Sequence, residues 1–231
     1  MKKMIFIEDH VMPQLFTSAR EAYEFEHKSS ERGKAYKNLE TFGLLWGYSI
    51  PAKGDTPPKV IATMCTVETS ATRHTDWVAP NFDSLQAKKD FFQSYWPNIE
   101  LVGTFHSHPY ENLDEVIEYK GWRASDSSDG EANDQVFFPH FHEEIAPEQD
   151  TLAHLIVAVT ELEKRGWAYP DRLSGGERTK GYVLSADNYK FWIRGYSTDF
   201  VLDPDDEDDE GAFFFRDDSD LEIPSLENRF K

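Results

Sequence analysis

Cysteine is nearly absent from this chain: Cys65 is the only one in 231 residues. No internal disulfide can form, so an oxidising compartment would lend the fold no crosslink, and a cytoplasmic location is expected. Long apolar runs are also missing. None approaches the roughly 20 residues that span a bilayer, and no membrane partner is expected. The opening MKKMIFIEDH meets Glu8 and Asp9 before an apolar run of signal-peptide length develops, and reads as a first strand over Met4 to Ile7. Positive charge is scarce, with 24 Lys and Arg against 43 Asp and Glu, a net charge of −19. That field repels a phosphate backbone and removes the attraction on which non-specific nucleic-acid binding depends, so nucleic acid is not expected as a partner.

What the chain does have is bulk for a core, with 17 Phe, 10 Tyr and 6 Trp. Its length suits one domain with insertions. After the first strand, Val11, Leu15, Ala19, Ala22 and Tyr23 recur at helical spacing, with Asp9 placed to cap. The near-continuous apolar run from Phe42 to Tyr48 suits a buried strand, and Val60 to Val67 a partner in a hairpin. A helix capped by Asp83 runs through Leu85, Ala87, Phe91, Phe92 and Tyr95 until Pro97 stops it. Ile99 to His108 is the next strand, ended by Pro109, which has no amide donor. Later strands fall at Leu155 to Val159, Gly181 to Leu184 and Tyr189 to Tyr196. Interleaved strands and helices place the fold in the α/β or layered α+β class.

Residues 203–210 hold seven acids in eight positions and self-repel, so the reading is one domain over 1–200 and an acidic C-terminal tail over 201–231. Phe213, Phe214 and Phe215 give that tail an aromatic anchor that can dock on a basic partner or return to the domain; a solubilising tail is the expectation.

The chemistry concentrates in His106-Ser107-His108-Pro109. Side chains alternate along a strand, so two histidines two apart share a face and can converge on one ion. A catalytic zinc needs three protein ligands and a fourth position open to water. The second such tripeptide, His140-Phe141-His142, shows that the pattern alone is common; the first gains weight from its apolar strand and Pro stop.

The run Gly103-Thr104-Phe105-His106-Ser107-His108-Pro109 resembles the signature of the JAMM (MPN-plus) metallopeptidases, where a strand ends in His-x-His-Pro and a Ser-x-x-Asp follows. That family also carries a catalytic glutamate in Glu-x-x-Gly-x-Leu-x-Gly, matched here by Glu40, Gly43, Leu45 and Gly47. The resemblance extends over roughly residues 1–195. It implies a JAB/MPN fold, a curved mixed β-sheet flanked by helices in a cytidine deaminase-like architecture. It further implies Zn2+ held by His106, His108 and an aspartate, with Glu40 as general acid/base.

The Ser-x-x-Asp is disturbed. Tyr110 to Ala124 reads as an insertion, and SDSSDGEAND offers Asp126-x-x-Asp129, Ser128-x-x-Glu131 and Glu131-x-x-Asp134. Asp129 is favoured, with Asp126 as helix cap, and Ser127 or Ser128 as a hydroxyl for the oxyanion. By resemblance, the expected activity is amide hydrolysis after the C-terminal tail of a ubiquitin or ubiquitin-like modifier, taken as an extended strand. The alternative is a catalytically silent MPN scaffold binding protein partners. A zinc deaminase is disfavoured because one cysteine cannot supply Cys-x-x-Cys.

Overall fold

The apolar run in the first half of the chain becomes a strand covered on both faces, and the rest of the molecule is arranged around it. A computed structural model describes residues 2–29, 34–130, 133–202 and 211–228. Strand β1 (Met4–Ile7) is followed by helix α1 (Met12–Glu24), then β2 (Phe42–Ile50) and β3 (Lys59–Val67). Helix α2 (Phe82–Tyr95) leads into β4 (Glu100–Tyr110), α3 (Leu113–Tyr119), α4 (Asp134–Ile145) and β5 (Thr151–Glu161). Strands β6 (Ala168–Arg172), β7 (Gly181–Ala186), β8 (Tyr189–Val201), β9 (Ala212–Arg216) and β10 (Asp220–Glu222) precede a short α5 (Pro224–Asn228).

Ten strands form one mixed sheet in the order β6-β7-β8-β5-β4-β2-β3-β1-β10, with β9 also pairing β8. Strands β2 and β3 are an antiparallel hairpin, β4 runs antiparallel to β2, and β4 and β5 are parallel. The class is mixed α/β, a curled sheet flanked by helices. On one face α1 buries Met12, Leu15, Ala19 and Tyr23 among Leu45, Phe105, Leu155, Val157 and Ile193. On the other, Leu85 of α2 and Phe141 and Ile145 of α4 pack on Phe42, Leu44, Trp46, Leu101 and Leu152. Trp46 stacks on Phe92 at 3.8 Å between ring centroids. No helix among the described residues is long and apolar enough to cross a membrane.

The glycines of the Glu40 motif have packing reasons. Gly47 sits where the register of β2 shifts against β3, and a Cβ there would collide with the Ile61 carbonyl. A Cβ on Gly43 would strike the Phe105 ring.

Four sequence expectations need correction. Asp9 does not cap α1, whose N-cap is Val11; the Asp9 carboxylate accepts the Ser225 amide at 2.7 Å instead. Asn81, not Asp83, caps α2, accepting the Ser84 amide at 3.3 Å. Pro109 does not end its strand, because β4 continues beside β5 with Pro109 opposite Val159. The Ser107 amide donates to Thr41, so the same-side position of Pro109 faces the margin where β2 has stopped pairing, and the missing donor costs no ladder bond. Finally, 201–231 is not a detached tail. Strand β9 pairs with β8, β10 pairs parallel to β1, and Leu221 and Ile223 are fully buried against the sheet, which repays ordering them. The acid run 203–210 lies outside the described residues.

Candidate metal centre

His106 and His108 leave the end of β4 on one face, as alternation requires, and their Nε2 atoms lie 2.9 Å apart. Beyond the ladder between β2 and β4, the Ser107 amide donates to the Thr41 carbonyl and the Thr41 amide to Ser107 Oγ, each at 3.0 Å. Those bonds bring Glu40 alongside the pair, with its own amide on the His74 carbonyl at 2.8 Å. Glu40 is only 6% exposed.

The third member of the group is Asp134, at the first turn of α4. Its Oδ1 is 3.1 Å from His106 Nε2 and its Oδ2 is 3.6 Å from His108 Nε2. Asp129, the acid favoured from the sequence, is elsewhere: it is exposed, and its carboxylate accepts the Asp126 amide at 3.0 Å to close a capping box on a short 3-10 turn, Ser127–Asp129. The reason is local. Ser125 and Asp134 clasp one another, the Ser125 amide donating to Asp134 Oδ2 at 2.8 Å and the Asp134 amide to Ser125 Oγ at 2.9 Å. The stretch that leaves Ser125 carries Asp126 and Asp129 out into solvent before the chain returns at Asp134. Asp126 caps that turn, and Glu131 lies outside the described residues. Ser128 donates its hydroxyl to Asp126, whereas Ser125 lines the cleft and has no acceptor for its O–H among the described residues. Ser125 was the residue missed from the sequence; its pairing with an acid nine positions on has no motif spacing to betray it.

His108 Nδ1 donates to the Gly121 carbonyl at 2.9 Å, and because a carbonyl only accepts, this fixes the hydrogen on Nδ1. Once the ring gives up its other proton, the Nε2 lone pair faces His106 and Asp134. Burial works against a charge on His108, yet the hydrogen bond to Asp134 and the nearby Glu40 carboxyl outweigh it and push its pKa up to about 9. Burial likewise opposes ionisation of Asp134, but the two imidazoles overcome it and hold the carboxyl well below its usual range. Glu40 goes the other way: burial pushes it up to about 8, with His108 opposing and Asp134 and Asp76 adding to the rise.

His106, His108 and Asp134 therefore form a group that could hold a metal ion, the only such group found among the described residues. The donor set fits. Bonds of about 2.0–2.1 Å to a tetrahedral ion place donor atoms roughly 3.3 Å apart, close to the 2.9 and 3.1 Å seen here. The His140-Phe141-His142 tripeptide shows the contrast: on helix α4 its rings diverge, His140 to the surface and His142 into the core.

A cleft of about 1550 Å3 opens over the group. Phe82, Val78 and Phe137 line it, together with Tyr110, Tyr119 and Lys120. The latter come from the segment read as an insertion, which forms α3 and buries Val116. No protein-family model and no curated protein matches the chain, so the site stands on its own geometry.

Proposed function

We propose that this protein is a zinc-dependent peptidase or isopeptidase of the JAMM (MPN-plus) kind, acting on the amide bond after the C-terminal tail of a ubiquitin-like modifier. The observation that carries this reading is the convergence of His106, His108 and Asp134 on one point, with the buried Glu40 carboxyl in the same cleft. Each belongs to the motif pattern quoted above, save that Asp134 stands in the most distant of the three registers.

Two imidazoles and one carboxylate would hold Zn2+ with a net charge of +1 and leave a position facing the cleft. The bound ion would supply Lewis acidity, making water nucleophilic near neutral pH and polarising the scissile carbonyl. Glu40 takes the proton of the attacking water and returns it to the leaving amine; burial raises its pKa to about 8, and a cation beside it would draw that back toward neutrality, where one carboxyl can make both transfers. Ser125 presents its free O–H to the developing oxyanion while the Asp134 amide fixes its oxygen. A cleft of about 1550 Å3 exceeds the roughly 300–1,000 Å3 of ordinary small-molecule pockets and suits an extended peptide. Its acids outnumber its cations, Asp76, Glu111, Glu115, Asp126 and Asp129 among them, which favours a basic modifier surface.

Metal analysis of the purified chain is the first test: near-stoichiometric zinc, lost in a His106→Ala, His108→Ala double variant, is the expected result. Zinc-loaded protein incubated with ubiquitin-like fusions should then yield products cut after the modifier tail, read by mass. A chain that takes up no zinc would instead be a partner-binding scaffold.

A further inference from the structure

The five residues Gly121–Ser125 join α3 to the 3-10 turn, and every one of them has a defined polar tether. Gly121 accepts His108 Nδ1–H at 2.9 Å. Trp122 Nε1–H and Arg123 Nε–H both donate to Glu177, to Oε2 and Oε1 respectively, each at 2.9 Å. The Ala124 amide donates to the Tyr196 hydroxyl at 2.8 Å, and the Ser125 amide to Asp134 Oδ2 at 2.8 Å. The two end tethers grip two of the three groups of the metal centre; the three middle ones run to a hub on the far side of the strap.

Arg194 of β8 ties that hub together. Its Nη1 is 3.0 Å from Glu177 Oε1 and 2.6 Å from the Tyr196 hydroxyl. Arg194 is 2% exposed, and its Nε has no partner among the described residues. Burying a guanidinium with an orphaned donor is costly, and an apolar residue would pack there without that cost. Glu177 itself sits in the link between β6 and β7 with a side chain 12% exposed, and it touches neither histidine nor Asp134.

We infer that Glu177 is a positioning residue of the metal centre: by clamping Trp122 and Arg123 it holds the Gly121 carbonyl that orients His108 and the Ser125 amide that orients Asp134. The inference rests on the metal reading of that centre. A ligand imidazole whose second nitrogen is anchored keeps its tautomer and its aim, and loss of such an outer anchor weakens metal affinity by about 10–100-fold. Two ligands loosen together if the strap slides, because both hang from the same five residues.

The test uses the full chain, with zinc Kd measured by competition against a chromophoric chelator, the visible absorption of the Co2+-loaded protein, and Tm. Glu177→Ala should raise the zinc Kd by about 10–100-fold and shift the Co2+ bands. Glu177→Gln, which can still accept from Trp122, should lose less, and Trp122→Phe, which drops one tether while keeping an aromatic ring, should also raise Kd. Leu221→Ala, in β10, is the stability control: Tm falls while Kd and the Co2+ bands stay as in the wild type. If Glu177→Ala fails to fold, the Gln and Phe variants carry the test. A Glu177 or Trp122 variant with lowered Tm but wild-type Kd and Co2+ bands overturns the positioning role alone. No zinc uptake by the wild-type chain overturns the metal reading, and the role with it.

Discussion

Loading the centre with zinc should expel protons, and the number can be worked from the site. Without metal, His108 is held charged, its pKa pushed up to about 9 by Asp134 and Glu40 against the opposing effect of burial. Zinc binds only the neutral imidazole, so at pH 7 nearly one proton must leave His108 for each ion bound. Two pH units correspond to about 3 kcal/mol, so the His108 proton alone leaves the affinity at pH 7 roughly a hundredfold below its limit, falling about tenfold per further pH unit. The sign is fixed by the direction of the shift: a raised histidine favours the empty, charged form at low pH, and affinity rises with pH until about 9. Glu40 can add a second proton, since burial keeps it neutral up to about 8 and a nearby cation favours its carboxylate. Calorimetry at pH 7 in buffers of different ionisation enthalpy should therefore count between one and two protons released, and Glu40→Gln should bring the count to about one. A count near zero in the wild type, or an affinity flat from pH 6 to 8, would refute the assignment of His108 as a charged ligand-in-waiting.

Other outcomes follow from particular contacts. Glu40→Gln should keep stoichiometric zinc and lose turnover by about 10^2–10^4-fold, the range for a general acid/base; full activity removes Glu40 from that role. Behind the centre, Thr104 Oγ1 donates to His154 Nδ1, His154 Nε2 to Thr198, Thr198 to His142 Nδ1, and His142 Nε2 to the Gln149 carbonyl, a fully directed relay that requires both rings neutral. Burial lowers His142 from 6.5 to about 4, so its contribution is whole above pH 6.5 and is lost as pH falls toward 4. Denaturant unfolding should show the wild type losing about 2 kcal/mol more than His142→Gln between pH 7 and pH 5, and an equal loss in both would discount the relay. Leu221→Ala should cost about 3 kcal/mol in the same assay, since its side chain is fully buried; a near-neutral result would return β10 to the status of a loose tail. Gly103→Ala, whose Cβ would collide with the Ala153 carbonyl, should cost about as much, read as a drop in Tm.

Strand and helix placement was legible wherever one face of one element decided it. The helical spacing of Leu15, Ala19 and Tyr23 and the unbroken run from Phe42 reported burial that the folded sheet realises. Capping was less legible, because several acids and amides near each helix start can serve, and tertiary neighbours such as Ser225 compete for them. The segment 211–228 misled for a related reason: Asp217 and Asp218 face solvent and Asp220, Glu222 and Glu227 pair with Lys2 and Arg172, while Leu221 and Ile223, too few to stand out in the sequence, meet a core already built by β1 and β7.

From the amino-acid order alone came the pairing of His106 with His108, because alternation along a strand is a property of the backbone, and the nomination of Glu40 through the glycines beside it. Only the tertiary structure chose Asp134 over Asp129, brought Ser125 to it, and set Glu177 behind the strap. Those choices depend on how a loop of some twenty residues packs against distant strands. Spacing along a chain states which side chains can share a face of one element; it does not state which loop will arrive to complete the set.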